Sequence, residues 1–470
     1  MFKKLYQRFA VSSIPLFANM MHQEKEMTRL ARYTVSFFAI ILIISLLGAS
    51  AHAIESIEVS SARALLVEPL SGEVLYEKNA DERANPASLT KIMTALLVLE
   101  YGKLDEIATV SPSALENLHP DSSIVNLRVG EEISLENLLY CILIPSGNDA
   151  CNVAAEHIAG SIPAFVEMMN EKAKELGCTD TRFANTHGLT QEDHYTTARD
   201  IYRITLEALK NPKFLEICNT ASITIPATNK SEERIFYTTN HLISPLKQPD
   251  YIYHYAKGIK TGYTSAAGYC LVSSAEKNNL FLISILMGAP KDEETGKVMS
   301  FVDTKNLFEW AFANFSYKTI ISSKEPIAEV RVRLAKDTDY VVVNTSTSVE
   351  ALLPKDFDPA DVERGIVIYD EENITAPILK GQKLGELSLT YKGRSYGTLS
   401  LVALNSVMRD QTLYYIDRFY NFISQPWVRM VIAGFAALLA IYIIVVIIYN
   451  IRKRKRTRRQ PYRGRARRRR

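Results

Sequence analysis

The sequence predicts an α+β domain, then a small all-β domain, then one membrane-crossing helix. Three observations carry this. Between residues 56 and 315, strand-like runs stand at both ends and helical runs between them. After residue 316 only short strand-like runs remain, separated by turn residues. Residues 430–449 hold no charge at all. At 470 residues, with 47% hydrophobic and 23% charged side chains, the chain is long and apolar enough for two or three folded domains.

The elements follow in order. Residues 63–67 and 74–76 read as two strands joined by the turn Leu70-Ser71-Gly72-Glu73, a hairpin. Residues 90–100 are apolar all round, which predicts a buried helix. Residues 135–144, 152–159 and 162–176 have helical periodicity. Thr197-Ala198-Arg199-Asp200 before an apolar-periodic run reads as a helix start, with Asp in the capping-box position. Residues 268–274 and 280–287 are strands, and 301–315 a closing helix. The sheet of this domain therefore pairs its N- and C-terminal strands. In the second domain the strands are 327–334, 340–344, 365–369, 385–391 and 397–403, which predict a small all-β sandwich of about 90 residues. It carries no chemical constellation and reads as a stalk.

Residues 33–47 are an apolar run behind Arg29 and Arg32, followed by Ala51-His52-Ala53, an A-x-A cleavage pattern. That combination is a secretory signal peptide. Met27 would begin a signal of ordinary length, and an uncleaved N-terminal anchor is the alternative. At ~1.5 Å per residue, the uncharged run 430–449 spans ~30 Å, one bilayer core. Trp427 and Tyr449 stand near its ends, and residues 451–470 hold 13 Lys/Arg and no acid. The positive-inside rule puts that tail in the cytoplasm and residues 54 to about 425 outside, in a single-pass membrane protein. Residues 411–422 read as an amphipathic juxtamembrane helix. The expected organisation is an N-terminal extension with signal peptide (1–53), a catalytic domain (54–316), a β-rich domain (317–407), a juxtamembrane linker (408–427), a transmembrane helix (428–450) and a basic tail (451–470).

The formal net charge of +3 conceals an acidic body. Residues 54–450 carry 36 basic and 50 acidic side chains. This argues against a nucleic-acid-binding domain there, and beside a span the basic tail reads as a topology and lipid signal. The five cysteines Cys141, Cys151, Cys178, Cys218 and Cys270 form no CxxC pair and read as small buried thiols. The eight histidines lack HExxH or a metal-ligand cluster, so no metal is expected. His187 reads as a loop-packing residue.

The chemistry centres on Pro86-Ala87-Ser88-Leu89-Thr90-Lys91, where the buried helix begins. A spacing of three puts Ser88 and Lys91 on one helical face, one turn apart. Ser88 then lies near free helix N–H groups, and desolvation lowers the pKa of Lys91. A neutral amine beside a hydroxyl is a base beside a nucleophile. Pro145-Ser146-Gly147-Asn148-Asp149 offers a hydroxyl and an amide on a short loop, and Lys260-Thr261-Gly262 opens the strand region with a cation, a hydroxyl and a close-approach glycine. Alone, each admits a bland reading as cap, loop or turn. Together, in this order, they point to a serine acyl-enzyme.

The set S-x-x-K, S-x-N, K-T-G resembles that of the penicillin-recognising serine enzymes. The chain is most similar to the D-alanyl-D-alanine carboxypeptidases, low-molecular-mass penicillin-binding proteins of the S11 serine peptidase type. Segments 73–80, 146–150, 186–189, 196–200, 258–262 and 267–269 share that likeness, as does the β domain through 380–385, so the resemblance covers residues 57 to 407. It implies a penicillin-binding/β-lactamase-like α+β fold: an antiparallel sheet with helices on both sides and a helical subdomain. It implies Ser88 as nucleophile and Lys91 as its base. Ser146 would relay a proton to the leaving D-Ala, and Asn148 would hold the substrate amide. Lys260 would supply positive potential and Thr261 would bind the terminal carboxylate, with Gly262 beside it. Backbone N–H groups of Ser88 and Tyr263 would form the oxyanion hole. The implied substrate is a peptidoglycan stem ending in D-Ala-D-Ala, the implied inhibitors are β-lactams, and no cofactor is needed. A D,D-endopeptidase, a β-lactamase and a non-turnover β-lactam sensor or structural wall protein remain as alternatives on the same motifs.

Overall fold

The structure, a computed structural model, describes residues 57–116, 118, 122–246 and 248–457. The expected signal peptide and most of the basic tail lie outside these residues. The described chain divides into two compact units: residues up to Leu65, Tyr76–Ser273 and Ser284–Asn314 form the first, and Leu66–Leu75, Ser274–Ile283 and the chain from Phe315 onward the second.

The described chain begins with the expected hairpin, strands β1 (Arg63–Glu68) and β2 (Glu73–Lys78). Helix α1 (Thr90–Tyr101) follows, and its residues from Thr90 to Val98 are all buried. Its apolar side chains supply the driving force: burying a residue such as Leu97 stabilises the fold by about 2 kcal/mol. Around it stand α2 (Leu135–Leu143), α3 (Asn148–Ala159), α4 (Ile162–Glu175), α5 (Ala198–Ala208) and the short α6 (Pro212–Cys218). Helix α5 starts where the capping pattern predicts: Thr197 Oγ1 accepts from the Asp200 N–H at 3.0 Å. Strands β3 (Ala256–Thr264), β4 (Gly268–Lys277) and β5 (Leu280–Ala289), then α7 (Met299–Asn314), complete the unit.

The sheet runs β2-β1-β5-β4-β3. The first strand thus pairs with the last, as the order of strands and helices implied. Strands β1, β4 and β5 are buried almost along their length, so apolar layers cover both faces. Strand β3 is an edge. All five thiols are buried and unpaired.

The second unit has two sheets. Strands β7 (Pro326–Arg331), β8 (Tyr340–Thr345), β10 (Glu363–Ile368), β11 (Lys383–Tyr391) and β12 (Arg394–Ala403) form one, in the order β7-β8-β12-β11-β10, every pairing antiparallel. The other is an antiparallel pair of strands that the sequence reading does not contain, β6 (Phe315–Ile321) and β9 (Val349–Pro354). Ile321, Val343, Leu353, Leu387 and Leu401 pack between them into a sandwich core. Helix α8 (Gln411–Ile423) is capped by Asp410, which accepts from the Leu413 N–H at 3.0 Å. Helix α9 (Pro426–Thr457) is one unbroken helix, apolar and exposed, long enough to cross a membrane.

Candidate active site

Ser88 sits in a single 3₁₀ turn, Ala87–Leu89, that leads into α1. Ala87 takes a left-handed φ of 47°, which turns the chain sharply just before the hydroxyl. One turn later Lys91 lies fully buried, and its Nζ donates to Ser88 Oγ at 3.0 Å, Asn148 Oδ1 at 2.7 Å and the His187 carbonyl at 2.8 Å. Three ammonium hydrogens therefore meet three acceptors. Only Ser88 can reverse its bond and donate, because the other two are carbonyl oxygens. Burial pushes Lys91 down to about 8. A proton on Ser88 thus faces the one nearby group able to take it.

A second serine–lysine pair stands beside the first. Lys260, also buried, donates to Ser146 Oγ at 2.9 Å and to the Thr261 carbonyl at 2.9 Å. Burial, and then the charge of Lys91, push it down to about 7. Ser146 itself has φ 70°, a strained value for a residue with a side chain. Gly147 caps α3, and Asn148 is that helix's first residue. The amide expected on a loop is therefore held by a helix that begins four residues before the predicted 152. The buried Asp149 carboxylate sets its approach, accepting from the Val125 and Leu127 N–H groups at 3.0 and 3.1 Å. Asn148 N–H donates to the Ser123 carbonyl at 2.8 Å, so residues 123–127 strap this end of the site.

Lys260-Thr261-Gly262 does not open the strand region but lies within the edge strand β3. Gly262 is there for close approach: a Cβ would lie 2.9 Å from Ser88 N and 3.1 Å from Ala87 Cβ. Ser88, Ser146, Thr261, Gly262 and Tyr263 line one cleft of 310 Å³, with Lys91, Asn148 and Lys260 bonded beneath it. Tyr263 is exposed, its ring 4.4 Å from that of Tyr269 between centroids.

Sequence reasoning missed several members. Thr239 also lines the cleft, its Oγ1 2.5 Å from Thr261 Oγ1. It lies in no motif, and only the fold brings it there. Asp149 was visible in its motif but its backbone partners were not. His187, expected only to pack, contributes its carbonyl to Lys91. Its ring is half-buried, and desolvation, then the charge of Lys91, pushes it down to about 3.

A buried amine bonded to a serine hydroxyl, with a second serine–lysine pair and an edge strand across the same cleft, is the arrangement of a serine acyl-transfer enzyme of the penicillin-recognising class. Residues 49–291 match the Peptidase S11 family, D-alanyl-D-alanine carboxypeptidase, and residues 315–409 match the penicillin-binding protein 5 C-terminal domain. The chain is 34% identical to D-alanyl-D-alanine carboxypeptidase DacF of Bacillus subtilis over 361 residues, 76% of this chain and 88% of that one. It is 32% identical to DacA of Haemophilus influenzae, over 74% of this chain and 86% of that one. The crystal structure of penicillin-binding protein 5 from Haemophilus influenzae superposes with a TM-score of 0.56 at 31% identity, covering 76% of this chain and all of that one. The chain belongs to the S11 D-alanyl-D-alanine carboxypeptidases, and is a serine-type enzyme of that family.

Proposed function

We propose that this enzyme removes the terminal D-Ala of peptidoglycan stem pentapeptides, with Ser88 as nucleophile and Lys91 as general base. The observation that carries the reading is the 3.0 Å bond between a fully buried Lys91 Nζ and Ser88 Oγ. Ser88 Oγ attacks the carbonyl carbon of the penultimate D-Ala while its proton passes to Lys91. The backbone N–H groups of Ser88 and Tyr263 hold the oxyanion. Ser146, fed by the second amine, passes a proton to the departing D-Ala nitrogen, and the C–N bond breaks to leave an ester on Ser88. Lys91 first passes the proton it took from Ser88 to the Lys260–Ser146 pair, which resets both amines. Water then attacks the ester with Lys91 accepting its proton, and Lys91 hands that proton to Ser88 as the C–O bond breaks. Asn148 holds the substrate amide, and Lys260 draws the terminal carboxylate to Thr261. β-Lactams acylate Ser88 by the same first step, with their ring amide in place of the peptide.

Helix α9 anchors the chain in the membrane as a single pass, with the basic tail in the cytoplasm and both units outside. Its 29-residue apolar candidate span and the arginines that follow support this. The N-terminal signal and domain limits set out above complete the proposed organisation.

The test uses the full chain in detergent micelles with a pentapeptide ending in D-Ala-D-Ala. Release of free D-Ala that disappears in Ser88→Ala supports the reading. Release that survives that substitution sinks it. Stable β-lactam acylation without D-Ala release would favour a sensor, and rapid β-lactam hydrolysis a β-lactamase.

A further inference from the structure

Behind the nucleophile lies a buried relay that the mechanism above does not use. His194 is 2% exposed. Its Nδ1 accepts from the Ala184 N–H at 2.9 Å, and its Nε2 lies 2.9 Å from Thr90 Oγ1. Thr90 Oγ1 in turn donates to the Ala87 carbonyl at 2.9 Å. The directions are mutually fixed. A backbone N–H can only donate, so Nδ1 is the acceptor and Nε2 carries the proton. Thr90 accepts from it and spends its own hydrogen on Ala87. The chain of bonds ends on the residue whose left-handed backbone aims Ser88. Burial pushes His194 down to about 4, which keeps this tautomer neutral at ordinary pH.

The other end of the relay matters equally. Ala184 begins the segment that carries the His187 carbonyl to Lys91. Gly188 of that segment lies against the nucleophile's turn: a Cβ there would stand 1.8 Å from the Ala87 carbonyl oxygen. One imidazole thus ties the turn that carries the nucleophile to the segment that caps the base. The groups facing Lys91 are Ser88, Asn148 and the His187 carbonyl, with Cys151, Asp149, Lys260 and the His187 ring nearby.

We propose that His194 is a positioning residue for acylation, holding Ser88 and Lys91 in register through Thr90 on one side and Ala184 on the other. The inference rests on the roles given above to Ser88 and Lys91. Hydrogen bonds that place a nucleophile within a few tenths of an ångström decide rate more than binding.

The test compares the full chain in detergent with His194→Phe, His194→Gln, Thr90→Val and Ser88→Ala, using a fluorescent penicillin and the pentapeptide. His194→Phe is expected to lower the acylation rate and kcat by roughly 10- to 100-fold, with KM moved less than about threefold. His194→Gln, which keeps a donor toward Thr90, is expected to recover most of that loss. Loosening the segment admits water to Lys91, so the acid limb of the rate profile moves to higher pH in His194→Phe. Thr90→Val breaks the same relay with a side chain of equal shape. It should match His194→Phe, and the double variant should be no slower than the worse single. Rates within about threefold of the parent in His194→Phe overturn the proposal, as does a loss carried by KM alone. Should His194→Phe fail to fold, unchanged rates in Thr90→Val overturn it equally. Ser88→Ala separates the readings: if it stays active, the assigned nucleophile is wrong, whereas an inactive Ser88→Ala beside a fully active His194→Phe removes only the relay.

Discussion

Two lysines of the first unit and two surface cations of the second are held in opposite ways. In the first, Lys91 and Lys260 are buried against hydroxyl, amide and carbonyl oxygens, and burial drives both down in pKa. In the second, Arg364 pairs with Glu325 at 2.7 Å and Lys383 with Glu386 at 2.8 Å, both at the surface. Hydrogen bonding to Glu386 raises Lys383 instead. A carboxylate partner locks the charge on, whereas neutral dipoles in a dry site leave the amine free to lose it. The difference separates a buried amine able to give up its proton from a cation that decorates a β surface, and it can be broken experimentally.

The sharpest break is at the nucleophile. Ser88→Ala should abolish covalent labelling by a fluorescent penicillin. Lys91→Ala should lower acylation by about 10²–10⁴-fold, the usual contribution of a general base. A smaller loss would mean that Lys91 is a structural cation like those of the second unit. Next, Gly262→Ala sets a Cβ against backbone atoms of the nucleophile's turn. It should cost roughly 10²-fold in kcat while the thermal transition of the unit stays cooperative. An active variant would show that β3 does not need its close approach.

The pH profile comes third. The base must be neutral, and Lys91 loses its proton as pH rises through about 8. Acylation should therefore rise about tenfold per unit on the acid side, where Lys91 is still charged, and fall again above about pH 8 as Lys260 loses the proton that Ser146 passes on. A flat profile between pH 6 and 9 would contradict the buried-amine assignment. The second unit supplies the quiet controls. Leu387→Ala in the sandwich core should destabilise that unit by about 2–5 kcal/mol in denaturant. Penicillin labelling should be unchanged where the protein remains folded. Glu386→Gln should leave both labelling and unfolding as they are.

Much of the site was legible because its chemistry recurs at fixed spacings. Ser88, Lys91, Ser146, Asn148, Lys260, Thr261, Gly262 and Tyr263 all come to one cleft or directly beneath it. Thr239 was not legible, since its meaning depends on the 2.5 Å approach to Thr261 from another segment. His194 was visible as a residue, but its partners lie 104 and 10 positions away. Strands β1, β4 and β5 announced themselves as apolar runs, whereas β3 did not, because Lys257, Lys260, Gly258 and Gly262 interrupt its apolar pattern. Strand β6 did not, because it continues directly from α7 with no breaker between Asn314 and Phe315. Strand β9 is short and mixes Glu350 with apolar neighbours, so its periodicity is weak. The start of α3 was missed because Asn148 and Asp149 look like loop residues; burial and backbone partners make them the first turn of a helix.

Ala87 and Ser146 both hold left-handed backbone while keeping a side chain, and they approach Ser88 and Lys260 from separate segments. Glycine would relax each at once, yet it would also let each wander. The restriction means that the nucleophile's aim is settled when the chain folds, before any peptide arrives. Such a cleft behaves as a mould already set. It handles its own substrate quickly and adapts poorly, so a search for variants accepting bulkier leaving groups should begin at these two turns and not at the catalytic side chains.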